Sequence, residues 1–383
     1  MTSELRVGIV GFGWMGQVHA RALSRLMQHY TDSPLAPRLV AVADTAVDDR
    51  AERAAAAYGF EHVFADWNDL VARDDIDLVC VTGPNFIHRD VAVAAARAGK
   101  HLWVEKPAGR SAIETREIAE AVDLAGVQSA AGFNYRNVPA VELARELVST
   151  GRLGAIEHTS VRFISDYAAH PDGALSWRFK NEFAGSGVLG DLVSHAADLA
   201  RHVVADIAEL VVDRATFIGH RPQAAPGAMH YERGYGALGE VENEDYVNAL
   251  LRFADGSRGI LEASRCAVGE QNTYGIEVHG AAGALAWDFR RMNELQVCID
   301  QDFQNAFYTT RYAAPGDGDF GAFQPGPNNP MGFDDLKVVE ARRLIESISR
   351  GGPVGATIHD AVVAADVVEA MLESSTERRW VVL

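Results

Sequence analysis

The segment VGIVGFGWMG, Val7 to Gly16, constrains this chain more than any other stretch. An apolar run that stops at glycine reads as a central strand of a parallel sheet, and the QVHARALSRLM beyond it has the period of an amphipathic helix. The glycines therefore form a strand-to-helix turn. Gly11, Gly13 and Gly16 match G-x-G-x-x-G: the first allows the tight turn, the second lets a diphosphate approach the backbone, and the third lets helix and strand pack closely. The free N–H groups of the helix N-terminus then face the phosphates.

At 383 residues the chain exceeds one typical domain, and two are expected, each with a core of its own. It carries 53 acidic against 35 basic residues, a formal charge of −18, and no basic run, which argues against nucleic acid and anionic membrane surfaces as partners. The opening MTSELRVGIV enters the first strand at once, which leaves no room for a targeting segment. No apolar run approaches the roughly 18 residues of a membrane helix, so a cytoplasmic location is expected. Cys80, Cys266 and Cys298 are widely spaced and odd in number, as buried thiols in a reducing compartment would be.

The βα rhythm continues. RLVAVAD is a second strand ending at Asp44, followed by helical AVDDRAERAAAAYG; DLVCVTGPN precedes HRDVAVAAARAG; KHLWVEKP precedes SAIETREIAEAVDLAG; and VQSAAGFNYR closes the series. This predicts an N-terminal, doubly wound parallel sheet of the Rossmann type over residues 1–135, with ligands at the carboxyl ends of its strands. From about Arg152 the pattern changes to alternating strands joined by turns such as ADGS and GAAG. The expectation for residues 136–383 is an α+β domain with a large, mainly antiparallel open sheet, apolar on both faces, whose second face another subunit covers. Two stretches, about 220–240 and 301–330, read as long loops. Helical patterns return in DDLKVVEARRLIESISRG and HDAVVAADVVEAMLESS, which could pack back on the first domain.

Three places carry chemistry. Asp44, at the second strand's tip, can accept hydrogen bonds from both ribose hydroxyls of an adenosine and would repel a 2′-phosphate, so NAD is expected over NADP. In VEKPAG a strand delivers Glu105 and Lys106 to the edge of a cofactor cleft. In GDLVSHAAD, Asp191 and His195 are four residues apart and share a helix face, with Asp198 three further on. A histidine paired with a carboxylate at that spacing is an acid/base candidate.

In this order, GFGWMG, Asp44, TGPNFIH, EKPAG and GDLVSHAAD resemble the Gfo/Idh/MocA oxidoreductase family over nearly the whole chain. The resemblance implies an N-terminal Rossmann domain that binds NAD or NADP and a C-terminal open sheet that carries the substrate site and commonly an oligomer interface. It places Gly11, Phe12, Gly13, Trp14, Met15, Gly16, Asp44, Thr82, Pro84, Asn85, His88, Glu105 and Lys106 around the cofactor. The family's lysine falls on Lys106, and its acid and histidine fall on Asp191 and His195. The implied activity is oxidation of a secondary alcohol of a sugar or cyclitol: His195 takes the hydroxyl proton, Lys106 holds the oxygen, and Asp191 orients the imidazole or a neighbouring hydroxyl. Asn134, Arg136, Trp177 and Arg178 are further substrate-binding candidates.

A zinc alcohol dehydrogenase is rejected, because the cysteines lack C-x-x-C spacing and no histidine cluster has metal spacing. A non-catalytic, NAD-binding regulatory relative would be expected to lack the lysine or the histidine, and this chain has both, although that alternative stays open. A ketosugar reductase using the same groups in reverse stays open. So does the choice among inositols, hexoses, anhydrosugars such as levoglucosan, and glycosides.

Overall fold

The computed structural model describes residues 3–45, 49–224, 232–300 and 302–383. Residues 46–48 after Asp44, 225–231 of the first expected loop and 301 of the second lie outside the described residues. The chain divides into two compact units, Met1–Asn137 with Met331–Val363, and Val138–Pro330 with Ala364–Leu383.

The first unit is built on strands β1 (Ser3–Val10), β2 (Leu35–Ala43), β3 (His62–Phe64), β4 (Leu78–Val81), β5 (His101–Val104) and β6 (Ser129–Ala131). They form one parallel sheet in the order β3-β2-β1-β4-β5-β6. The order reverses between β1 and β4, the position where such sheets bind ligands. The central strands are apolar throughout because helices cover both faces: Val7, Ile9, Leu78, Val79, Cys80 and Val81 are all buried. The connecting helices are α1 (Trp14–His29), α2 (Asp49–Ala57), α3 (Trp67–Val71), α4 (Asn85–Arg97) and α5 (Ala112–Ala125). Strand β3 and helix α3 are additions to the sequence reading. At three and five residues they are too short to show a period, and β3 lies at the sheet's edge.

The second unit contains α6 (Pro139–Ser149), β7 (Ile156–Ile164), α7 (Asn181–Ala184), α8 (Ser194–Val203), β8 (Ile207–Ala215), β9 (His220–Pro222), β10 (Leu238–Glu240), β11 (Tyr246–Phe253), β12 (Arg258–Ser264), β13 (Thr273–Gly280), β14 (Gly283–Asp288), β15 (Glu294–Ile299) and β16 (Thr309–Tyr312). Helices α9 (Phe333–Arg350) and α10 (Ile358–Glu377) and strand β17 (Val381–Val382) complete the chain. The large sheet runs β16-β15-β14-β13-β7-β12-β11-β8-β17. All neighbours are antiparallel except β7 and β12, so the sheet is mixed at its centre. The expected turns join β11 to β12 and β13 to β14. Helices α6 and α8 pack on the inner face, and the alternation is clean: in β11, Val247, Ala249, Leu251 and Phe253 point inward.

The outer face differs from expectation. It is not apolar throughout: Leu250 and Ile260, cross-strand partners about half exposed, stand among Asn248, Arg252, Arg258 and Glu262. The period of two that buries one face leaves the other polar here, apart from that pair. Among the described residues no helix is long and apolar enough to cross a membrane.

Candidate active site

The glycine turn of the first unit has room for a ligand at one position only. A Cβ on Gly11, whose φ is +88°, would sit 2.5 Å from the Gly83 backbone, and one on Gly16 would sit 2.1 Å from the Gly11 carbonyl oxygen. A Cβ on Gly13 would meet nothing within 4 Å. The first and third glycines are thus demanded by the protein's own packing, and the second borders open space. Gly13 is also the N-cap of α1 and supplies no side-chain cap, so the leading N–H groups of that helix suit a phosphate. Asp44 Oδ2 accepts a 2.6 Å hydrogen bond from the Phe12 amide, which fixes the carboxylate beside the turn. The Phe12 ring packs edge-on against Tyr58 and Phe60, leaving its backbone as the part that can serve a ligand. Trp14 is exposed and stacks on Phe333 of α9. Met15 lies in the first turn of α1. These features fit a dinucleotide.

The tip of β4 is tied to the same turn. The Thr82 hydroxyl donates to the Gly11 carbonyl at 2.6 Å, Pro84 caps α4, and Asn85 begins it. His88 is buried, with Nδ1 2.8 Å from the Pro107 carbonyl and Nε2 2.8 Å from the Gly83 carbonyl. Burial lowers its pKa against the pull of both carbonyls. The ring is thus a strut between the loops that follow β4 and β5.

Lys106 emerges from β5 on a turn whose Lys106–Pro107 peptide is cis. Its predecessor Glu105 points into the protein and anchors the turn. That carboxylate accepts from Lys337 Nζ at 2.5 Å, from His19 Nε2 at 2.9 Å and from the Lys106 amide at 3.3 Å. Gly132 must lack a side chain, because a Cβ there would lie 2.5 Å from Glu105 Oε2. Lys337 also reaches Glu340, whose Oε1 accepts from Trp103 Nε1 at 2.5 Å. Burial raises the Glu105 pKa, but Lys337 and His19 together hold it well below the usual carboxylate range. Burial and Glu105 push Glu340 up to about 7 against the attraction of Lys337, and burial brings His19 down to about 4. Near neutrality one lysine thus balances one fully ionised carboxylate, with His19 neutral. Asn134 is buried, and Arg136 pairs with Asp360 at 3.1 Å, so its guanidinium also serves the fold.

In the second unit, Asp191 lies in a π-helical turn, Leu189–Val193, that runs into α8. The wider turn changes the expected α-helical relation between Asp191 and His195, and such bulges are frequent at functional sites. The Glu244 carboxylate holds the start of the turn by accepting from the Gly187 and Leu189 amides at 2.7 and 3.0 Å. Asp191 Oδ2 accepts from the Tyr167 hydroxyl at 2.7 Å. His195 is 7% exposed; its carbonyl accepts from the Tyr274 hydroxyl at 2.8 Å, and its ring lies 6.1 Å from that of Phe163. Asp198, one turn on, is buried. Trp177 and Arg178 share a short turn, with the guanidinium 4.5 Å over the indole. The adjoining Phe179 ring lies under both Arg221 and Arg265, at 4.3 and 4.6 Å.

Sequence reasoning missed Tyr167, Lys337 and Glu340 as supporting groups. For Lys337 a signal existed: a lysine inside the apolar stripe of LKVV, three residues before a glutamate. Among the described residues no group of three or more His, Cys, Asp or Glu side chains could hold a metal.

The family model described as the oxidoreductase family with an NAD-binding Rossmann fold matches residues 5–133, and the GFO/IDH/MocA C-terminal domain matches 141–286. The chain is 34% identical over 383 residues to levoglucosan dehydrogenase of Pseudarthrobacter phenanthrenivorans, covering 99% of this chain and 98% of that protein. It is 27% identical to inositol 2-dehydrogenase of Rhizobium meliloti, covering 98% of each. A solved structure of levoglucosan dehydrogenase in complex with NADH and levoglucosan superposes with a TM-score of 0.92 at 32% identity over 99% of both chains. With both domains matched and the glycine turn, Asp44, the EKP turn and the D-x-x-x-H helix in place, the chain belongs to the Gfo/Idh/MocA family and is an NAD-dependent oxidoreductase acting on CH–OH groups.

Proposed function

We propose that this enzyme oxidises a secondary hydroxyl of a sugar, anhydrosugar or cyclitol to a ketone. The observation that carries the reading is the joint presence of Lys106 on its anchored turn and of Asp191 and His195 on one supported helical segment, in a chain that matches levoglucosan dehydrogenase from end to end. Bound NAD supplies the hydride acceptor. His195 takes the hydroxyl proton as general base, so that no full alkoxide accumulates. Lys106 holds the same oxygen and stabilises the negative charge that develops on it. Asp191 orients the imidazole or a neighbouring hydroxyl. Trp177 and Arg178, whose guanidinium stacks on the indole, remain the substrate-binding candidates, whereas Arg136 is occupied by Asp360. Residues 1–135 serve the cofactor and 136–383 the substrate, with Met331–Val363 returning to the first unit. Three free thiols accord with a cytoplasmic enzyme.

The test is NAD reduction by the purified protein across anhydrosugars, aldoses and inositols, beginning with levoglucosan. Turnover of at least one compound is expected, and none across the panel would overturn the reading. A second reading, reduction of a ketosugar, has its own support in 31% identity to 1,5-anhydro-D-fructose reductase of Ensifer adhaerens over 57% of this chain. It predicts NADH oxidation by ketosugars with little turnover of the alcohols.

The half-exposed pair Leu250 and Ile260 on the outer sheet face further supports self-association as a homotetramer or homodimer. Sedimentation giving a clean 41.4 kDa monomer would refute this.

A further inference from the structure

The stretch after β7, DYAAHPDGALSWRF, holds a side chain that the mechanism above does not use. Tyr167 is half-buried against the cluster of Ala168, Leu175, Phe179 and Val241, and its hydroxyl donates to Asp191 Oδ2 at 2.7 Å. The backbone that follows it is held by two elements. Arg221 of β9, fully buried, donates to the carbonyls of Ala168 and His170 at 2.5 and 2.8 Å. The Ala168 amide donates to the Arg265 carbonyl at 2.9 Å, and the Arg265 guanidinium is itself fixed on Asp245 at 2.8 Å. The phenol is therefore presented by a segment with little freedom to move, to a carboxylate whose own backbone sits in a π turn.

We propose that Tyr167 is a positioning residue for Asp191: its hydroxyl holds Oδ2 so that the carboxylate keeps one rotamer toward the imidazole or the substrate. A carboxylate with no such tether can rotate about its last bond, and each wrong orientation lowers the fraction of enzyme ready to react. A phenol suits the task because it donates without changing charge. Burial and the neighbouring Asp191 raise the Tyr167 pKa well above its ordinary value, against the nearby Arg265 and Arg178, so the donor stays protonated.

The inference rests on the reading of Asp191 as part of the site. The experiment therefore compares Tyr167→Phe, Asp191→Asn and the double variant by steady-state kinetics on levoglucosan or on whichever compound of the panel turns over best, with melting temperatures alongside. Tyr167→Phe keeps the ring and its packing. It should lower kcat about 10- to 100-fold, as for one lost charge-assisted hydrogen bond, with the KM for NAD and the melting temperature essentially unchanged. The double variant should be no slower than Asp191→Asn alone, because the phenol acts only through the carboxylate. If the two losses multiply, or if Tyr167→Phe matches wild type while Asp191→Asn is impaired, the positioning role is overturned and that of Asp191 stands. Wild-type turnover by Asp191→Asn would overturn both.

Discussion

Lys106 and the Asp191/His195 pair are supported in different ways. Beneath Lys106 lies a buried set of charged and titratable groups, His19, Glu105, Lys337 and Glu340, closed by Trp103. Around Asp191 and His195 the contacts include the phenols of Tyr167 and Tyr274, with the arginines Arg221 and Arg265 behind them bound to carbonyls, amide oxygen and Asp245. A turn that presents one fixed cation can be held by ion pairs, because its charge need not change during the reaction. An imidazole proposed to accept a proton, and a carboxylate proposed to orient it or the substrate, are better framed by groups that keep their own protons across the working pH range. Phenols and guanidinium groups do so, whereas a buried ion pair would couple to every proton moved.

The largest effect should come from the two residues proposed to meet the reacting hydroxyl. His195→Ala is expected to lower kcat by a factor on the order of 10² to 10⁴, with NAD binding and melting temperature nearly unchanged, and Lys106→Ala should be comparably damaging with a raised substrate KM. A His195→Ala protein that melts early yet turns over normally per folded molecule would make the histidine structural and dissolve the contrast.

Next in size is the charged network. Lys337→Met leaves Glu105 buried without its ammonium and should cost roughly 3 to 5 kcal/mol of stability in denaturant titrations. Lys337→Met with Glu105→Gln removes both charges and should recover much of that loss. If the single and double variants are equally unstable, it is packing and not charge balance that anchors the Lys106 turn.

The network also has a pH signature. The Glu340 pKa is raised from 4.5 to about 7 in the fold, so its contribution is favourable when protonated and is lost as pH rises from about 4.5 through 7, by on the order of 3 kcal/mol. His19 has the opposite sign: lowered from 6.5 to about 4, it costs stability as pH falls through that window. The two trends nearly offset each other in the wild type. Glu340→Gln keeps an acceptor for Trp103 and removes one trend, so its melting temperature relative to wild type should improve steadily between pH 5 and 8. A pH-independent difference would show that Glu340 does not titrate there.

The smallest effect concerns the cofactor end of the first unit. Asp44, held by the Phe12 amide, should favour NAD over NADP by at least about tenfold in kcat/KM, roughly 1.4 kcal/mol, and Asp44→Ala should narrow the ratio. Equal use of both cofactors by the wild type would remove the ribose role from Asp44.

Much of this was legible before the structure. The apolar runs ending in glycine at Gly11 and in Asp44, and the alternation through Val247, Ala249 and Leu251, carry the two fold classes because burial on one or both faces writes a period into neighbouring residues. Lys106, Asp191 and His195 were singled out differently, by a strand-tip position, a four-residue spacing and the family resemblance, and their roles are part of the proposal. What no local pattern could supply is partnership at long range. Glu105 and Lys337 are 232 residues apart, and Tyr167 and Asp191 are 24 apart with two short helical turns between them. The parallel pairing of β7 with β12, the short edge strand β3 and the π turn at Asp191 likewise depend on neighbours brought together by the chain's path. By itself, then, the sequence determined the strand and helix pattern of the two units and nominated the side chains proposed to do chemistry. Tertiary structure alone decided what holds those side chains, because a hydrogen bond or an ion pair depends on a distance in space that no spacing along the chain prescribes.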